Sequence, residues 1–320
     1  MCCLFGLLDY GHRLSLKQRQ RILRTLSIAC EARGTDATGI AFFSGSHLTI
    51  QKAPRPARRM HFRIPGNARY IMGHTRMTTQ GDERKNYNNH PFAGCAGNMQ
   101  FALAHNGVLH NDLELRKQEH LPETIIETDS YVAVQLLEKF GHLNARSLAT
   151  MAEALRGSFT ISLLDDNNNL YIVKGNNPAC VYHFYHKQFY LYASTQEILQ
   201  AAVTQMRLHA EPHQVIKPQS GEILVIRADG SVATSRFNDK ALWEIPYLRN
   251  YSWSNPLTGK QYPPNDDETL IDEYAQITGT DRNIIQMLHD AGYDWLDIEQ
   301  MLYDPEYMSD CIGDLLYGVP

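Results

Sequence analysis

Residues 159–193 read FTISLLDDNNNLYIVKGNNPACVYHFYHKQFYLYA. Phe159–Asp165 and Leu170–Lys174 are apolar runs rich in β-branched and aromatic residues, joined by the turn-forming Asp166–Asn169. Cys180–Tyr185 and Gln188–Ala193 make a second closely spaced pair. Parallel neighbours need a crossover of about a dozen residues, so strands this close must pair antiparallel. The same hairpin pattern recurs at Gly39–Phe43 with Leu48–Lys52 across Ser44-Gly45-Ser46, and at Glu222–Arg227 with Val232–Phe237 across Ala228–Ser231. Hairpins on this scale predict antiparallel sheets covered by helices, not a doubly wound parallel fold.

Working outward, Cys3–Leu8, Arg69–Thr75 and Phe101–His105 read as further strands, the last running into Asn106-Gly107, a dipeptide suited to φ > 0. A strand starting at residue 3 needs something to tie it down, because termini ordinarily fray. Ser15 reads as the N-cap of a helix over Leu16–Arg33, stopped by Gly34. Thr128 is placed to cap a helix through Gly141, with Val132, Leu136, Leu137 and Phe140 at helical spacing. Leu148–Leu155 and Gln196–Met206 complete the helices of the main body. Residues 241–267 read as a linker, rich in Pro, Asn and Asp from Asn255 onward. Beyond it Glu268–Thr278, Asp281–Ala291 and Trp295–Leu302 read as three short helices.

Three hundred and twenty residues, 43% hydrophobic and 20% charged, allow one large globular domain plus an appendage. No apolar stretch approaches the roughly 20 residues of a membrane helix, and the start lacks the basic n-region of a secretory signal. Six scattered cysteines (2, 3, 30, 95, 180 and 311) without a CxxC argue against a zinc ribbon or disulfide framework. The expected setting is a reducing cytoplasm. Charge is unevenly divided: residues 250–320 hold fourteen acidic side chains against Lys260 and Arg282, a net −12, which leaves +7 for residues 1–249. That split predicts a separate acidic helical module over 268–320, docking a partner or a basic face, and excludes nucleic acid as its partner.

Polar clusters at strand ends carry the chemistry. Removal of Met1 would give Cys2 both a thiol, of pKa about 8.5, and an α-amine of about 7.7–8.0. Such a residue supplies nucleophile and base together. Further clusters are Arg33-Gly34-Thr35-Asp36-Ala37-Thr38-Gly39, Gly73-His74-Thr75-Arg76 running to Thr79 and Gly81, Asn89-His90-Pro91, His105-Asn106-Gly107 and Glu127-Thr128-Asp129. In this order, behind Met1-Cys2-Cys3-Leu4-Phe5-Gly6, they resemble the class II glutamine amidotransferases, the N-terminal-cysteine branch of the N-terminal nucleophile hydrolases. The resemblance spans roughly residues 2–240.

The resemblance implies an α+β fold, a four-layer αββα sandwich of two antiparallel sheets. It implies hydrolysis of the glutamine side-chain amide through a thioester at Cys2, with no cofactor. Asn106 and Gly107 would form the oxyanion hole, and Arg33 would sit near the nucleophile, where a cation favours thiolate. Arg76, helped by Thr79, has the fork geometry for the substrate α-carboxylate, and Asp129 would take the α-ammonium. His74, His90 and His105 lack a short metal-ligand spacing and are expected to be structural hydrogen-bonding groups.

Cys3 stands where most relatives have Gly, and Met77 and Gln80 replace an aromatic and a histidine common in the hexosamine-forming relatives. Relatives usually continue into a synthase domain that consumes the ammonia. Here an acidic segment of about 70 residues follows without a Gly-rich phosphate loop, so a separate synthase is the expected acceptor. An N-terminal-cysteine amidohydrolase for another amide or γ-glutamyl compound, and a non-catalytic glutamine-binding protein, remain as alternatives.

Overall fold

A computed structural model describes residues 2–242 and, beyond them, 253–254, 261–262, 271–272, 275, 280–293, 298, 301–302, 308 and 312. Residues 1–244 and 245–320 form two compact units.

In the first unit the strands are β1 (Cys3–Leu8), β2 (Ala37–Ser44), β3 (His47–Ala53), β4 (Tyr70–Arg76), β5 (Phe92–Ala96), β6 (Met99–Leu109), β7 (Gly157–Asp165), β8 (Leu170–Lys174), β9 (Cys180–Phe184), β10 (Phe189–Ala193), β11 (Gln214–Ile216), β12 (Glu222–Ile226) and β13 (Val232–Arg236). The helices are α1 (Leu16–Ala29), α2 (Asp112–Gln118), α3 (Tyr131–Phe140), α4 (Ala145–Ala154) and α5 (Gln196–Gln205). One sheet has the order β11-β9-β10-β1-β4-β2-β3 and the other β13-β12-β8-β7-β6-β5, with every pair antiparallel.

Three buried clusters separate four layers. Phe5 and Leu7 of β1 pack with Leu23 and Leu26 of α1 and Leu199 of α5. Leu4 and Leu8, on the opposite face of β1, join Met72, Ala102, Ala104 and Tyr192 between the sheets. Phe101 and Leu103 pack with Leu136 of α3 and Leu148 and Met151 of α4 on the far side. Full burial of each large apolar side chain is worth about 1.5–3 kcal/mol, and the period-2 alternation of β1 and β6 distributes that gain to both faces. The result is the expected four-layer αββα sandwich of two antiparallel sheets.

The first strand does not fray because it is central. β1 pairs with β10 on one side and with β4 on the other, where Cys3 stands opposite Thr75. Ser194 locks its start, donating its N–H to the Leu4 carbonyl and accepting the Leu4 N–H at its hydroxyl. Gly73 allows the close packing of β1 on β4, since a Cβ there would lie 2.3 Å from the Phe5 ring.

Several local expectations change. α1 ends at Ala29, and the next turn tightens into a 3-10 helix over Cys30–Ala32, which directs Arg33 back toward the N-terminus. β6 does not stop at His105. It runs through Asn106-Gly107 to Leu109, paired all the way with β7. Thr128 is not a cap: Ser130 precedes α3, and the Thr128 hydroxyl donates to the Asn88 carbonyl.

In the second unit, the helix Arg282–Asp290 is capped by Asp281, whose carboxylate accepts the Asn283 N–H at 2.9 Å. Ile285 and Leu288 are buried with Ile271, Ile298, Met301 and Leu302. Within the stretch expected as a linker, Trp253–Ser254 and Gln261–Tyr262 pair antiparallel. The expected helices 268–278 and 295–302 lie mostly outside the described residues.

Candidate active site

Antiparallel register places Cys2, just before β1, across from Arg76 at the end of β4. The Cys2 thiol donates to the Met77 carbonyl at 3.4 Å. Burial pushes that thiol above its ordinary pKa, against the opposing influence of the Met77 hydrogen bond and of Arg76. Cys3, one residue on, faces the other way. It lies in the outer core beside Cys30, so the side chain added where relatives have Gly is accommodated away from Cys2. Arg33 donates from Nε to the Cys2 carbonyl at 3.0 Å. Arg33 thus grips the backbone of Cys2.

Arg76 is buried, and its guanidinium donates to Asn89 Oδ1 at 2.7 Å and to the carbonyls of Gln80 and Gly81. All of these acceptors are neutral, and Arg76 forms no ion pair among the described residues. Glu83, Asp129 and Asp36 act on it only at longer range, so a carboxylate-bearing ligand could still make a direct ion pair with this buried cation. Lys52 braces the same loop: its ammonium donates to the Asn89 and Pro91 carbonyls, and burial, with Arg76 nearby, lowers it to about 8. Thr79 lies exposed on the loop after β4. Gln80 ties that loop to Asp112 of α2 and to the Glu127 carbonyl.

Asp129 is buried just before α3 and feels both Cys2 and Arg76 electrostatically. One of its oxygens accepts the Leu109 N–H at 2.7 Å, and the other accepts from the Ser130 hydroxyl at 3.3 Å.

Asn106 shares its face of β6 with Ala102 and Ala104, which fill the space between the sheets. Its side chain is 1% exposed, yet both its amide nitrogen and its amide oxygen lack a hydrogen-bond partner. An orphaned buried amide of this kind needs an explanation, and a bound ligand supplies one. Gly107 follows with φ +144, and a Cβ there would sit 2.0 Å from the Ser158 carbonyl, so only glycine fits. Gly107 stands opposite Phe159 in the ladder. Phe159 directs its N–H to Asn176 Oδ1 at 3.0 Å and receives the Asn177 N–H at its carbonyl at 3.3 Å. Its partner is therefore in an outward-pointing pair, and the Gly107 N–H is aimed away from β7, past the end of β5.

The three histidines form a neutral buried patch. His74 donates from Nε2 to the His105 carbonyl at 2.9 Å, and burial lowers it to about 3. His90 packs between His74 and Phe92, and burial holds its pKa well below the ordinary value. His105 contacts the Ser130 hydroxyl and the Ser158 carbonyl.

The sequence reading misses Lys52, Ser130, Asn176 and Asn177. The two asparagines carry only a turn signal, and Lys52 carries none.

The glutamine amidotransferases class-II family matches residues 1–169. Glutamine–fructose-6-phosphate aminotransferase [isomerizing] of Geobacillus kaustophilus (strain HTA426) is 33% identical over 190 residues, covering 57% of this chain and 30% of that protein. The protein of the same name from Staphylococcus aureus (strain Mu50) is 29% identical over 244 residues, covering 72% of this chain and 38% of its own. This chain spans about a third of the length of those relatives. Among solved structures, the glutamine phosphoribosylpyrophosphate amidotransferase from B. subtilis superposes with a TM-score of 0.60 at 19% identity, covering 74% of this chain and 49% of that one, a likeness of fold. With more than half its length matched, a sandwich of the expected layering and the family's motifs in order, the chain belongs to the class II glutamine amidotransferases.

Proposed function

We propose that the protein hydrolyses glutamine to glutamate and ammonia with Cys2, freed of Met1, as nucleophile. The observation that carries this reading is the orphaned Asn106 amide on the face of β6 turned to the space between the sheets, with Arg76 buried and in no direct ion pair among the described residues. In the proposed reaction the Cys2 sulfur attacks the side-chain carbonyl of glutamine while its proton passes to the α-amine. The Asn106 amide and the Gly107 N–H receive the developing oxyanion. Collapse of the adduct releases ammonia with a proton returned by the amine, and water then cleaves the thioester. Arg76, with Thr79 beside it on the loop, holds the substrate α-carboxylate, and Asp129 holds the α-ammonium. Arg33 fixes the Cys2 backbone.

Asn106→Ala tests the oxyanion role. Loss of one such donor lowers kcat by about 10²–10³-fold. The KM for glutamine should stay nearly constant, and a KM change with kcat intact would contradict the assignment.

Glutamate release measured across a panel of amides tests the substrate class. Glutamine should be the preferred substrate over asparagine, N-acyl amides and γ-glutamyl anilides. Preference for an acyl amide would instead favour the other amidohydrolase reading.

Delivery of the ammonia to a separate synthase belongs to the same proposal and accords with the family's use of glutamine nitrogen. The acidic second unit is the proposed docking module for that partner. No helix among the described residues is long and apolar enough to cross a membrane, and the free thiols of Cys2, Cys3, Cys30, Cys95 and Cys180 suit a reducing cytoplasm.

A further inference from the structure

The peptide unit between Asn106 and Gly107 has two ends that matter. Its N–H, on Gly107, is the proposed backbone donor to the oxyanion, and the trans geometry of a peptide points its C=O the opposite way. That carbonyl, on Asn106, accepts a hydrogen bond from Asn177 Nδ2 at 2.9 Å. Asn177 is itself fixed on both sides: its N–H donates to the Phe159 carbonyl at 3.3 Å, and its carbonyl accepts the Thr160 hydroxyl at 2.5 Å. The neighbouring Asn176 side chain takes the Phe159 N–H, which holds the loop after β8 against β7. Gly107 has unusual backbone freedom at φ +144, so nothing in its own stereochemistry fixes the plane of that peptide.

We infer that Asn177 is a positioning residue for the oxyanion hole, clamping the Asn106–Gly107 peptide plane so that the Gly107 N–H faces the reacting carbonyl. The amide donated to the Asn106 oxygen also polarises the peptide and strengthens the N–H as a donor. This inference rests on the proposed roles of Asn106 and Gly107. It assigns work to a loop that the family motifs quoted above do not include.

The test compares Asn177→Ala and Asn177→Asp in the full chain, the second keeping size while losing the Nδ2 donor. Glutamate γ-semialdehyde serves as probe, because its thiohemiacetal with Cys2 places an oxygen in the oxyanion position. Kcat should fall about 10–100-fold with the glutamine KM within about threefold, as for other residues that act by orienting a reactive group. Affinity for the semialdehyde should drop by the same factor as kcat, while the thermal midpoint of the Asp variant stays near that of the native protein. A merely structural loop residue would lower stability without that parallel. If kcat and semialdehyde affinity stay within twofold of native in both variants while Asn106→Ala is severely impaired, the role of Asn177 is wrong and the oxyanion hole stands. If Asn106→Ala is also fully active, the oxyanion reading itself fails.

Discussion

Cys2→Ala should reduce glutamate release by at least about 10⁴-fold, the scale on which loss of a covalent nucleophile disables a hydrolase. Cys3→Ala should leave turnover largely intact, because Cys3 faces the outer core with Phe5 and Leu7 while Cys2 sits across from Arg76. The two thiols are adjacent in sequence, but strand alternation sends them to different environments. Burial raises the Cys2 thiol, so near neutral pH it is protonated and attack requires a base. With the α-amine of Cys2 as that base, kcat/KM should fall as pH drops through the amine pKa, ordinarily about 7.7–8.0. A blocked or extended N-terminus should abolish turnover at every pH. Full activity with a tag fused ahead of Cys2 would exclude the amine as base.

Arg76→Ala and Asp129→Ala should each lower kcat/KM for glutamine by about 2–5 kcal/mol, since each leaves a desolvated substrate charge without its partner. Arg76 also holds the Gln80 and Gly81 carbonyls and Asn89, so part of its loss could come from the loop alone. Glutaminamide separates the two contributions. Lacking the α-carboxylate, it should be a poor substrate of the native enzyme and should lose little more in Arg76→Ala. Equal losses for glutamine and glutaminamide would show that Arg76 braces the loop and does not hold the carboxylate.

Strands flanking tight turns were legible, because β-branched and aromatic runs with Asn, Asp and Gly between them fix antiparallel pairing locally. The pairs β7 with β8 and β9 with β10 follow from residues 159–193 alone. β5 was not legible: its Phe92-Ala93-Gly94-Cys95-Ala96 has little strand propensity and exists because Phe92 and Ala96 bury against the far layer. α2 is short and mostly charged, with only Asp112 and Leu115 buried, so its helical period is too brief to read.

Asn106-Gly107 carries the signature of a hairpin turn, and local chemistry alone would end the strand there. Tertiary context overrides it, since β7 continues the ladder to Leu109 and the glycine is required by close approach of the Ser158 backbone. Ser130 likewise displaces Thr128 before α3, because the Thr128 hydroxyl is engaged by the distant Asn88 carbonyl. Lys52 and Asn177 act through main-chain carbonyls 37 and 71 residues away, and no local pattern encodes such a contact.

Labelling with a glutamine analogue that carries a diazoketone side chain tests the central assignment most directly. Peptide mass spectrometry of the inactivated protein should find one adduct, on a Cys2 that is the N-terminal residue, with labelling slowed by excess glutamine and abolished in Cys2→Ala. An adduct on Cys3, Cys30, Cys95, Cys180 or Cys311, or steady glutamine hydrolysis by a protein whose Cys2 stays unlabelled, would contradict Cys2 as the nucleophile.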